Sequence, residues 1–396
     1  MRGYKTTSKT SGVLALAAAL LAAATACAHG PAATAPDEGK APGKEVRSPF
    51  TLVATGDILP HDSVIDAARR DAGGDGYDFR PMLAGVKPVI SAADLAICHM
   101  ETVYGPAGGP FTGYPSFASP PQIADAVRAT GYDSCSTASN HTLDAGFPGV
   151  RRTLDALDAA GVAHAGSARS PAEALRPALL EAGGATVAQL AYTYGTNGKE
   201  PPADKPWAVN ITDPERVVAD ARRARRAGAD VVVVSLHWGT EWQDAPDATQ
   251  RRLARELTAS RSAGAPDVDL IIGTHAHVPQ AYEKVNGTWV VYGMGDQIAG
   301  RMINNAGDRD PRGNQGTIGR FTFSPPEPGS ARWRVTRAEF LPQLMDHGRA
   351  GPPRVVDLNA ELADGEAPER YARVRDRISD VVLSRGAGAD GLTTPR

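Results

Sequence analysis

The chain has 396 residues, of which 42% are hydrophobic and 22% are charged, and its formal net charge is -3. This composition excludes a disordered protein, and the length suits one large core or two modest ones. The sequence contains no basic block that would follow a phosphate backbone, so nucleic acid is not an expected partner.

The start of the chain has the features of an export signal. Three cationic residues precede an apolar, alanine-rich segment at 13–26, which is too short to be a comfortable membrane span. The segment ends in small residues before Cys27, as at the site where bacterial lipoproteins are cleaved and acylated. We therefore expect residues 1–26 to be a lipoprotein-type signal peptide, with Cys27 lipidated and the protein anchored on the outer side of the membrane. Cleavage of an ordinary signal peptide, which would give a secreted protein, is the alternative.

The remaining chain divides by composition. Residues 27–48 are rich in Ala, Pro, Gly and charge without an apolar period, which favours a flexible linker. We expect residues 49–345 to form the folded domain and residues 346–396 to form a peripheral C-terminal tail. Cys98 and Cys135 lie in apolar stretches, so two buried thiols are the simpler expectation, and a disulfide stays open for an exported protein.

Short apolar runs alternate with helical patterns from Phe50 onward, which is typical of βαβ units around a largely parallel sheet. The predicted strands are 50–55, 94–98, 132–136, 231–236 and 268–272. Apolar residues at helical spacing predict helices at 65–70, 79–90, 121–130, 149–160, 214–227, 247–263 and 368–383. The segments 178–192 and 282–292 carry Gly-Gly and Asn-Gly turns, and they predict hairpins in a second, antiparallel sheet region.

Side chains that can bind metals follow the predicted strands. In open α/β sheets ligands bind beyond the carboxyl ends of the strands, so this position is informative. The residues, in chain order, are Asp57, Glu101, Asn140 with His141, His237, and His275 with His277. Each alone could be a helix cap or a hydrogen-bonded core histidine, but the coincidence of five such places indicates a metal site. Carboxylate, amide oxygen and imidazole ligands suit Zn, Mn or Fe. The absence of cysteine pairs near these residues argues against a structural zinc site.

Six segments surround these positions: GDI at 56–58, ADLAICHME at 93–101, SNHTLDAG at 139–146, HWGTEW at 237–242, GTHAHVPQ at 273–280 and YGMGDQ at 292–297. In this order they resemble the capsule-synthesis CapA family, which is associated with poly-γ-glutamate and is similar in fold to the calcineurin-like metallophosphatases. The resemblance implies an α/β fold, as a four-layer α-β-β-α sandwich of the metallo-dependent phosphatase type.

The resemblance also implies roles for individual residues. The residues that would bind two divalent ions of Mn, Zn or Fe are Asp57, Glu101, Asn140, His237, His275 and His277. Glu101 stands where a bridging carboxylate is expected, and His141 would be the acid-base residue. Asp144 follows His141 by three residues and could hydrogen-bond it, although a turn or helix-capping role is equally open.

The chain departs from the family pattern at three positions. Leu59 stands where metallophosphatases have a histidine ligand, and His99 and Asp296 stand where the CapA pattern has Asn. We expect His99 and Asp296 to orient ligands rather than bind metal, while a direct bond from His99 stays open. The residues expected at the rim of the substrate cleft are Trp238, Glu241 and the loop 199–205. For Trp238 the alternative is a core aromatic residue.

These patterns predict an exported hydrolase in which water activated by two metals attacks a phosphoester, an ester or an amide. The substrate would be an extracellular small molecule or a polymer, poly-γ-glutamate being one candidate. The alternative is a non-catalytic accessory protein of poly-γ-glutamate capsule synthesis or export. The chain is acidic overall and offers no obvious groove for a polyacid, which favours hydrolysis.

Overall fold

The computed structural model of the protein describes residues 47–327, 330, 332–348 and 351–395. The predicted signal peptide, Cys27 and most of the predicted linker lie outside these residues. The described residues belong to one unit, Glu45–Arg396. Within the described ranges, no helix is both long enough and apolar enough to span a bilayer.

Two mixed β-sheets lie at the centre of this unit, and all elements are numbered in chain order. The strands of the first sheet are β1 Phe50–Leu59, β2 Leu95–Met100, β3 Ser134–Ser136, β4 Ala163–Ala165, β13 Asp296–Ala299, β14 Gln315–Ser324, β15 Arg334–Asp346, β16 Arg354–Asp357 and β17 Leu392–Thr393. The strands of the second sheet are β5 Ala178–Ala182, β6 Ala185–Thr193, β7 Val231–His237, β10 Leu270–Thr274, β11 Tyr282–Val285 and β12 Thr288–Val291. A separate short hairpin contains β8 Arg261–Ser262 and β9 Ala265–Pro266.

The strands that precede the candidate ligands are parallel to one another within each sheet. The first sheet has the order β16-β15-β14-β1-β2-β3-β4, with β13 beside β1 and β17 beside β15. Its β1 to β4 run parallel. The second sheet has the order β11-β12-β10-β7-β6-β5, and its β6, β7, β10 and β12 run parallel. The carboxyl ends of these strands therefore lie together at one edge of each sheet.

The helices begin and end at residues that suit their termini. Their bounds are α1 Asp62–Asp71, α2 Arg80–Leu83, α3 Lys87–Ser91, α4 Ile123–Thr130, α5 Gly146–Ala160, α6 Pro171–Ala174, α7 Pro214–Arg226, α8 Ala248–Ala259, α9 Leu358–Ala363 and α10 Glu369–Leu383, with a 3₁₀ turn at Pro311–Asn314. The Asp213 side chain accepts from the first N–H groups of α7. Gly131 and Gly161 end α4 and α5 with left-handed φ angles of 114° and 72°.

Three buried apolar clusters define the layers of the fold. Alternate residues of β1 and β7 belong to different clusters because successive side chains of a strand point to opposite faces. Leu52 and Val233 lie in the cluster that contains both sheets. Val53 packs with residues of α1 to α5, and Val234 packs with residues of α7 and α8. The α-β-β-α sandwich predicted from the resemblance is therefore confirmed.

The two hairpins predicted from Gly-Gly and Asn-Gly turns are confirmed as β5–β6 and β11–β12. They extend the second, mixed sheet rather than forming an antiparallel region of their own. The helix predicted at 79–90 is instead two short helices, α2 and α3. The helix predicted at 247–263 ends at Ala259, because the next residues enter the β8–β9 hairpin.

The prediction of a peripheral tail from residue 346 onward is wrong. β15 continues to Asp346, and β16 and β17 both pair with it. α10 buries Tyr371, Ile378 and Val382 in the same apolar cluster as the inner strands. The sequence was misleading because α10 is apolar on one face alone and charged elsewhere, so its mean polarity is high.

Cys98 and Cys135 form a disulfide, which corrects the simpler expectation of two buried thiols. The two residues are direct neighbours in the parallel register of β2 and β3, with Cα atoms 4.4 Å apart. Both lie in the core under α4 and α5. The sequence placed each cysteine in a strand but did not provide the register that makes them neighbours.

Removing this disulfide is expected to lower the free energy of unfolding by about 2–4 kcal/mol, because the bond joins residues 37 positions apart and restricts the unfolded chain. Equilibrium urea unfolding of the Cys98→Ala/Cys135→Ala double variant would measure the loss. The reduced parent is the matched control, since it keeps both side chains. Equal stability of the reduced and oxidised parent would contradict the prediction.

Candidate metal centre

Asp57 lies near the carboxyl end of β1, at the middle of a buried polar cluster. The strand reaches this position by passing close to Gly295, where a Cβ on Gly56 would overlap the Gly295 carbonyl oxygen. The Asp57 N–H donates to that oxygen at 3.0 Å. Asp57 Oδ2 accepts from the His275 N–H at 3.0 Å, whereas Oδ1 is buried without a hydrogen-bond partner. Gly56 therefore allows the backbone contact that fixes the position of the carboxylate.

Three histidine rings lie within 4.0 Å of the Asp57 carboxylate. His99 Nε2 lies 3.6 Å and His237 Nδ1 lies 4.0 Å from Asp57 Oδ1, while His277 Nδ1 lies 4.0 Å from Oδ2. The rings of His99 and His237 stack with centroids 4.8 Å apart, and those of His237 and His275 are 4.7 Å apart. The structure thus brings histidines from β2, β7 and the segment after β10 to one carboxylate.

Glu101 and Asn140 complete this side of the cluster. Both Glu101 oxygens are buried without a hydrogen-bond partner, and Oε1 lies 3.9 Å from His237 Nε2. Asn140 Oδ1 lies 3.0 Å from the same nitrogen. We use the name metal centre for the set formed by Asp57, His99, Glu101, Asn140, His237, His275, His277 and Asp296.

Asp296 fixes the ring of His277. Its Oδ1 lies 2.9 Å from His277 Nδ1, and its Oδ2 is buried without a hydrogen-bond partner. A carboxylate on one nitrogen of a histidine orients the other nitrogen and raises its basicity, as in many metal sites. This contact agrees with the orienting role expected of Asp296, and the free Oδ2 also makes it a candidate ligand.

The donor atoms of the metal centre fit divalent ions. Among the described residues, the buried side-chain atoms of the centre that lack a hydrogen-bond partner are Asp57 Oδ1, His99 Nε2, Glu101 Oε1, Glu101 Oε2, His275 Nδ1 and Asp296 Oδ2. Burial of such atoms without a partner is unfavourable, and a cation would satisfy them together. Donor atoms within 4.8 Å of one another form three groups: Asp57–His99–His237, Glu241–His275–His277 and Asp57–His277–Asp296. Imidazole and carboxylate in this mixture suit Zn, Mn or Fe.

Ionisation of the acidic groups of the centre is unfavourable in the metal-free protein, so their pKa values are raised. Burial, together with the charge of Asp296, raises the pKa of Asp57 to about 8. Burial and then the charge of Asp57 raise the pKa of Glu101 well above its usual value. Burial lowers the pKa of His99 to about 3. Burial also acts to lower the pKa of His277, but the charges of Asp296 and Glu101 outweigh burial, so the pKa of His277 is raised.

These shifts predict how pH affects the metal-free protein. A group whose pKa is raised on folding stabilises the fold below its unfolded pKa, and this contribution is lost as pH rises through the folded value. Asp57 meets this condition as pH rises toward its folded pKa of about 8, and the raised pKa values of Glu101 and His277 act in the same direction. Metal binding displaces the same protons and therefore strengthens as pH rises.

We therefore expect Mn²⁺ or Zn²⁺ to raise the Tm by more at pH 8.5 than at pH 6.5, relative to protein in EDTA. Differential scanning fluorimetry at the two pH values would measure both increments. The Asp57→Asn variant removes this titrating group and one carboxylate ligand together, so its Tm increment should be smaller than that of the parent at both pH values. Equal Tm increments at both pH values in the parent would contradict the prediction.

His141, Asp144 and Lys199 form a hydrogen-bonded chain beside the metal centre. His141 Nδ1 lies 2.6 Å from Asp144 Oδ2, and Lys199 Nζ donates to Asp144 Oδ1 at 2.8 Å. Burial acts to raise the pKa of Asp144, but hydrogen bonds from His141 and Lys199 outweigh it and the pKa is lowered. The His141–Asp144 hydrogen bond considered in the sequence analysis is therefore present. The contact of Lys199 with Asp144 brings the start of the predicted rim loop to the site.

The rim of the cleft differs from the prediction at one position. Trp238 is 2% exposed, stacks on Tyr292 and donates from Nε1 to the Tyr292 carbonyl oxygen at 2.9 Å. It belongs to the apolar cluster under α7 and α8, so its expected place at the rim is wrong. Glu241 is half-buried and lies with His275 and His277, as expected of a residue lining the cleft.

Two aromatic residues at the rim were missed in the sequence. The Tyr194 ring is 48% exposed and lies 4.5 Å from the His275 ring, centroid to centroid. Burial and the charges of Glu241 and Glu101 raise its pKa to about 12, so the phenol stays protonated. Trp242 is half-buried, with its ring 6.0 Å from that of His277. Tyr194 directly follows β6, so the strand-end criterion would have found it; Trp242 lies within the HWGTEW motif.

Several residues of the site have left-handed backbone conformations. His275 has φ +94°, His277 has φ +58° and Trp242 has φ +67°. Such angles are uncommon outside glycine and cost of order 1–3 kcal/mol each. At His275 this conformation accompanies the N–H bond to Asp57. Three of the six described non-glycine residues with positive φ therefore lie at this site.

Position 59 lies on an apolar side of the site. Leu59 packs with Phe117, Ala299 and Met302, and Trp242 lies against this group. The Phe117 ring in turn meets the His141 ring edge-on at 4.8 Å. Leu59 has no donor atom, so the ligand that metallophosphatases have here is replaced by hydrocarbon.

Comparison with known proteins gives a family and several relatives. The sequence model of a protein family described as bacterial capsule synthesis protein PGA_cap matches residues 51–301 of this chain. The PGA biosynthesis protein CapA of Bacillus subtilis is 34% identical over 164 residues, which are 41% of each chain. A Mycobacterium tuberculosis protein named "probable polyglutamine synthesis accessory protein" is 28% identical over 220 residues, 52% of this chain and 56% of that one. The chain spans about half the length of the curated relatives it matches.

Solved structures also resemble the chain. A calcineurin-like phosphoesterase from Bacillus subtilis matches with 15% identity and a TM-score of 0.42, over 85% of this chain and 98% of that one. A likeness at this TM-score carries no argument about function. The fold follows from the layers and strand orders given above.

Proposed function

We propose that this chain, which belongs to the bacterial capsule synthesis protein family PGA_cap, is an exported metal-dependent hydrolase of phosphoesters, esters or amides. One observation carries this proposal. Buried donor atoms of Asp57, His99, Glu101, His275 and Asp296 converge without hydrogen-bond partners at the strand ends of both sheets. A purely structural role does not account for such a set, because each unpaired atom destabilises the fold.

The residues of the metal centre that would hold the ions are Asp57, Glu101, Asn140, His237, His275 and His277, with Glu241 at its exposed margin. When bound, divalent ions of the Mn, Zn or Fe type supply Lewis-acid activation of water and neutralise negative charge on the substrate. Asp57 belongs to two of the three donor groups, so it would connect them. Its carboxylate is held by the His275 N–H and therefore need not reorganise on binding.

His141 would supply the proton to the leaving group. Its Nδ1 is engaged by Asp144, which leaves Nε2 for the substrate. Asp144 also accepts from the Phe117 N–H at 2.8 Å and from Lys199, so it stays ionised and fixed. A buried carboxylate in this position orients the imidazole ring. Tyr194, a neutral phenol over His275, could donate a hydrogen bond to a substrate oxygen.

Export is the second part of the proposal. It is supported by the cationic and apolar residues before Cys27 in the sequence. The disulfide between Cys98 and Cys135 is consistent with an oxidising compartment. We propose an outward-facing membrane lipoprotein anchored through Cys27. Metabolic labelling of the full chain with a fatty acid, compared with Cys27→Ser, would test this, and equal labelling would contradict it.

The proposed activity is tested with purified protein and generic nitrophenyl phosphate, phosphodiester and acetate substrates. We expect turnover that requires divalent metal and is lost in Asp57→Ala and His275→Ala. His164→Ala is the matched control, because His164 is paired with Asp158 away from the centre and should keep activity. No turnover with any substrate in metal-loaded parent, or unchanged rates in both centre variants, would contradict the proposal.

A second candidate function is an accessory role in poly-γ-glutamate synthesis, without catalysis. The names of the relatives favour it. In that case the metal-loaded protein would bind γ-linked polyglutamate, and the polymer length would not change. Size-exclusion analysis of the polymer after incubation distinguishes this role from hydrolysis of the polymer's amide bonds, which would shorten it.

A further inference from the structure

The surroundings of His99 do not match those of a residue that only orients a ligand. It lies in β2, where it is the register neighbour of Asp57 on one side and of Ser136 on the other. Neighbours across a parallel ladder present their side chains to the same face. The ring is 2% exposed, so what it faces is the interior of the metal centre rather than solvent.

The hydrogen bonds around His99 engage its Nδ1 atom and leave its Nε2 atom without a partner. Nδ1 lies 2.7 Å from Ser136 Oγ, and that hydroxyl lies 3.4 Å from the Cys98 carbonyl oxygen. In the tautomer in which this hydroxyl donates to the carbonyl oxygen, it accepts from Nδ1–H. Nε2 then carries the lone pair, and it is buried without a partner.

This lone pair faces another one. Nε2 lies 3.6 Å from Asp57 Oδ1, which is also buried without a partner. That separation is too long for a hydrogen bond. Two ligands of one tetrahedral ion, each about 2.1 Å from it, lie about 3.4 Å apart, so the observed spacing suits a shared cation. His237 supplies the third donor of this group.

We propose that His99 binds a divalent metal directly through Nε2, together with Asp57 and His237, rather than orienting Glu101. This inference rests on the proposed metal centre and deepens it. Leu59, where the family resemblance implies a nitrogen donor, lies in an apolar cluster, whereas His99 on the neighbouring strand offers a nitrogen donor. The centre would then contain four imidazoles, which favours Zn²⁺ and related ions over Mg²⁺.

The first test is made on the parent protein and needs no variant. In protein labelled with ¹⁵N-histidine, Zn²⁺ should shift the His99 Nε2 resonance into the range of a metal-bound imidazole nitrogen, while Nδ1 stays protonated. His164, which is paired with Asp158, is the internal reference and should not shift. An unshifted His99 Nε2 at saturating Zn²⁺ would overturn the proposal.

The second test uses variants and isothermal titration with Zn²⁺. His99→Gln should lose one binding event or weaken it by more than about 100-fold, since changes behind a ligand cost about 10–100-fold. Ser136→Ala is the matched control: it removes the Nδ1 partner but keeps Nε2, so it should weaken binding less. Circular dichroism and unfolding in EDTA would establish that both variants fold. Equal Zn²⁺ affinity and stoichiometry in folded His99→Gln would contradict the proposal.

These readouts separate the two proposals. If Zn²⁺ binds through His99 but no substrate turns over, the ligand assignment stands and the hydrolase function fails. If turnover depends on metal while His99→Gln binds Zn²⁺ like the parent, the function stands and the ligand assignment fails. A parent that takes up no Zn²⁺ would contradict both.

Discussion

Asp57→Ala is expected to lower metal affinity by more than about 100-fold and to abolish metal-dependent turnover. The reason is its place in the structure. Asp57 belongs to two of the three donor groups, and its Oδ1 faces His99 and His237 while Oδ2 faces His277. Elemental analysis after gel filtration, together with Zn²⁺ titration, would measure the loss.

The control for this variant is Asp125→Ala, an exposed aspartate on α4. It should keep the metal content and the activity of the parent. Metal-free Asp57→Ala should also be at least as stable as the metal-free parent near pH 8, because the buried carboxyl is costly when ionised. An Asp57→Ala protein that retains the metal content of the parent would contradict the assignment of Asp57 as a ligand.

His141→Gln is expected to lower kcat by about 10²–10⁴-fold while leaving metal content unchanged, because a positioned general acid contributes that much. The structure supports this separation, since the His141 ring is bonded to Asp144 and lies beside the donor groups rather than within them. Steady-state kinetics with substrates of different leaving-group pKa would measure it. The variant should lose most with poor leaving groups.

Lys199→Met is the graded comparison for His141→Gln. It removes one of the hydrogen bonds to Asp144 but leaves His141 and its contact in place, so its effect on kcat should be much smaller. A His141→Gln variant with the kcat of the parent for all leaving groups would contradict a proton-transfer role. Loss of metal from that variant would instead assign His141 to the metal centre.

The sequence predicted the parts of the site that depend on local pattern. A polar residue directly after an apolar strand has a fixed place in a parallel sheet, and that rule agrees with His237, the last residue of β7, and with His275, directly after β10. Asp57 lies within β1, which continues for two residues beyond it. The same rule applied to β6 would have included Tyr194. The layers followed from the resemblance and from continuous apolar strands such as β7, which are buried on both faces.

The rest depends on register and on side-chain direction, which the chain order does not contain. The Cys98–Cys135 bond and the facing of His99 with Asp57 both follow from which residues are neighbours across β1, β2 and β3. Trp238 and Trp242 lie in one motif, yet one enters the core and the other meets His277. The long-range docking of α10 was missed because only its buried face is apolar.

Elemental analysis of the parent, purified without chelators, measures whether the metal centre binds ions. We expect about two equivalents of divalent metal per folded chain, of the Zn, Mn or Fe type, and their loss in Asp57→Ala. A folded parent that contains no metal, and takes up none from millimolar Zn²⁺ or Mn²⁺ at pH 8, would contradict this expectation.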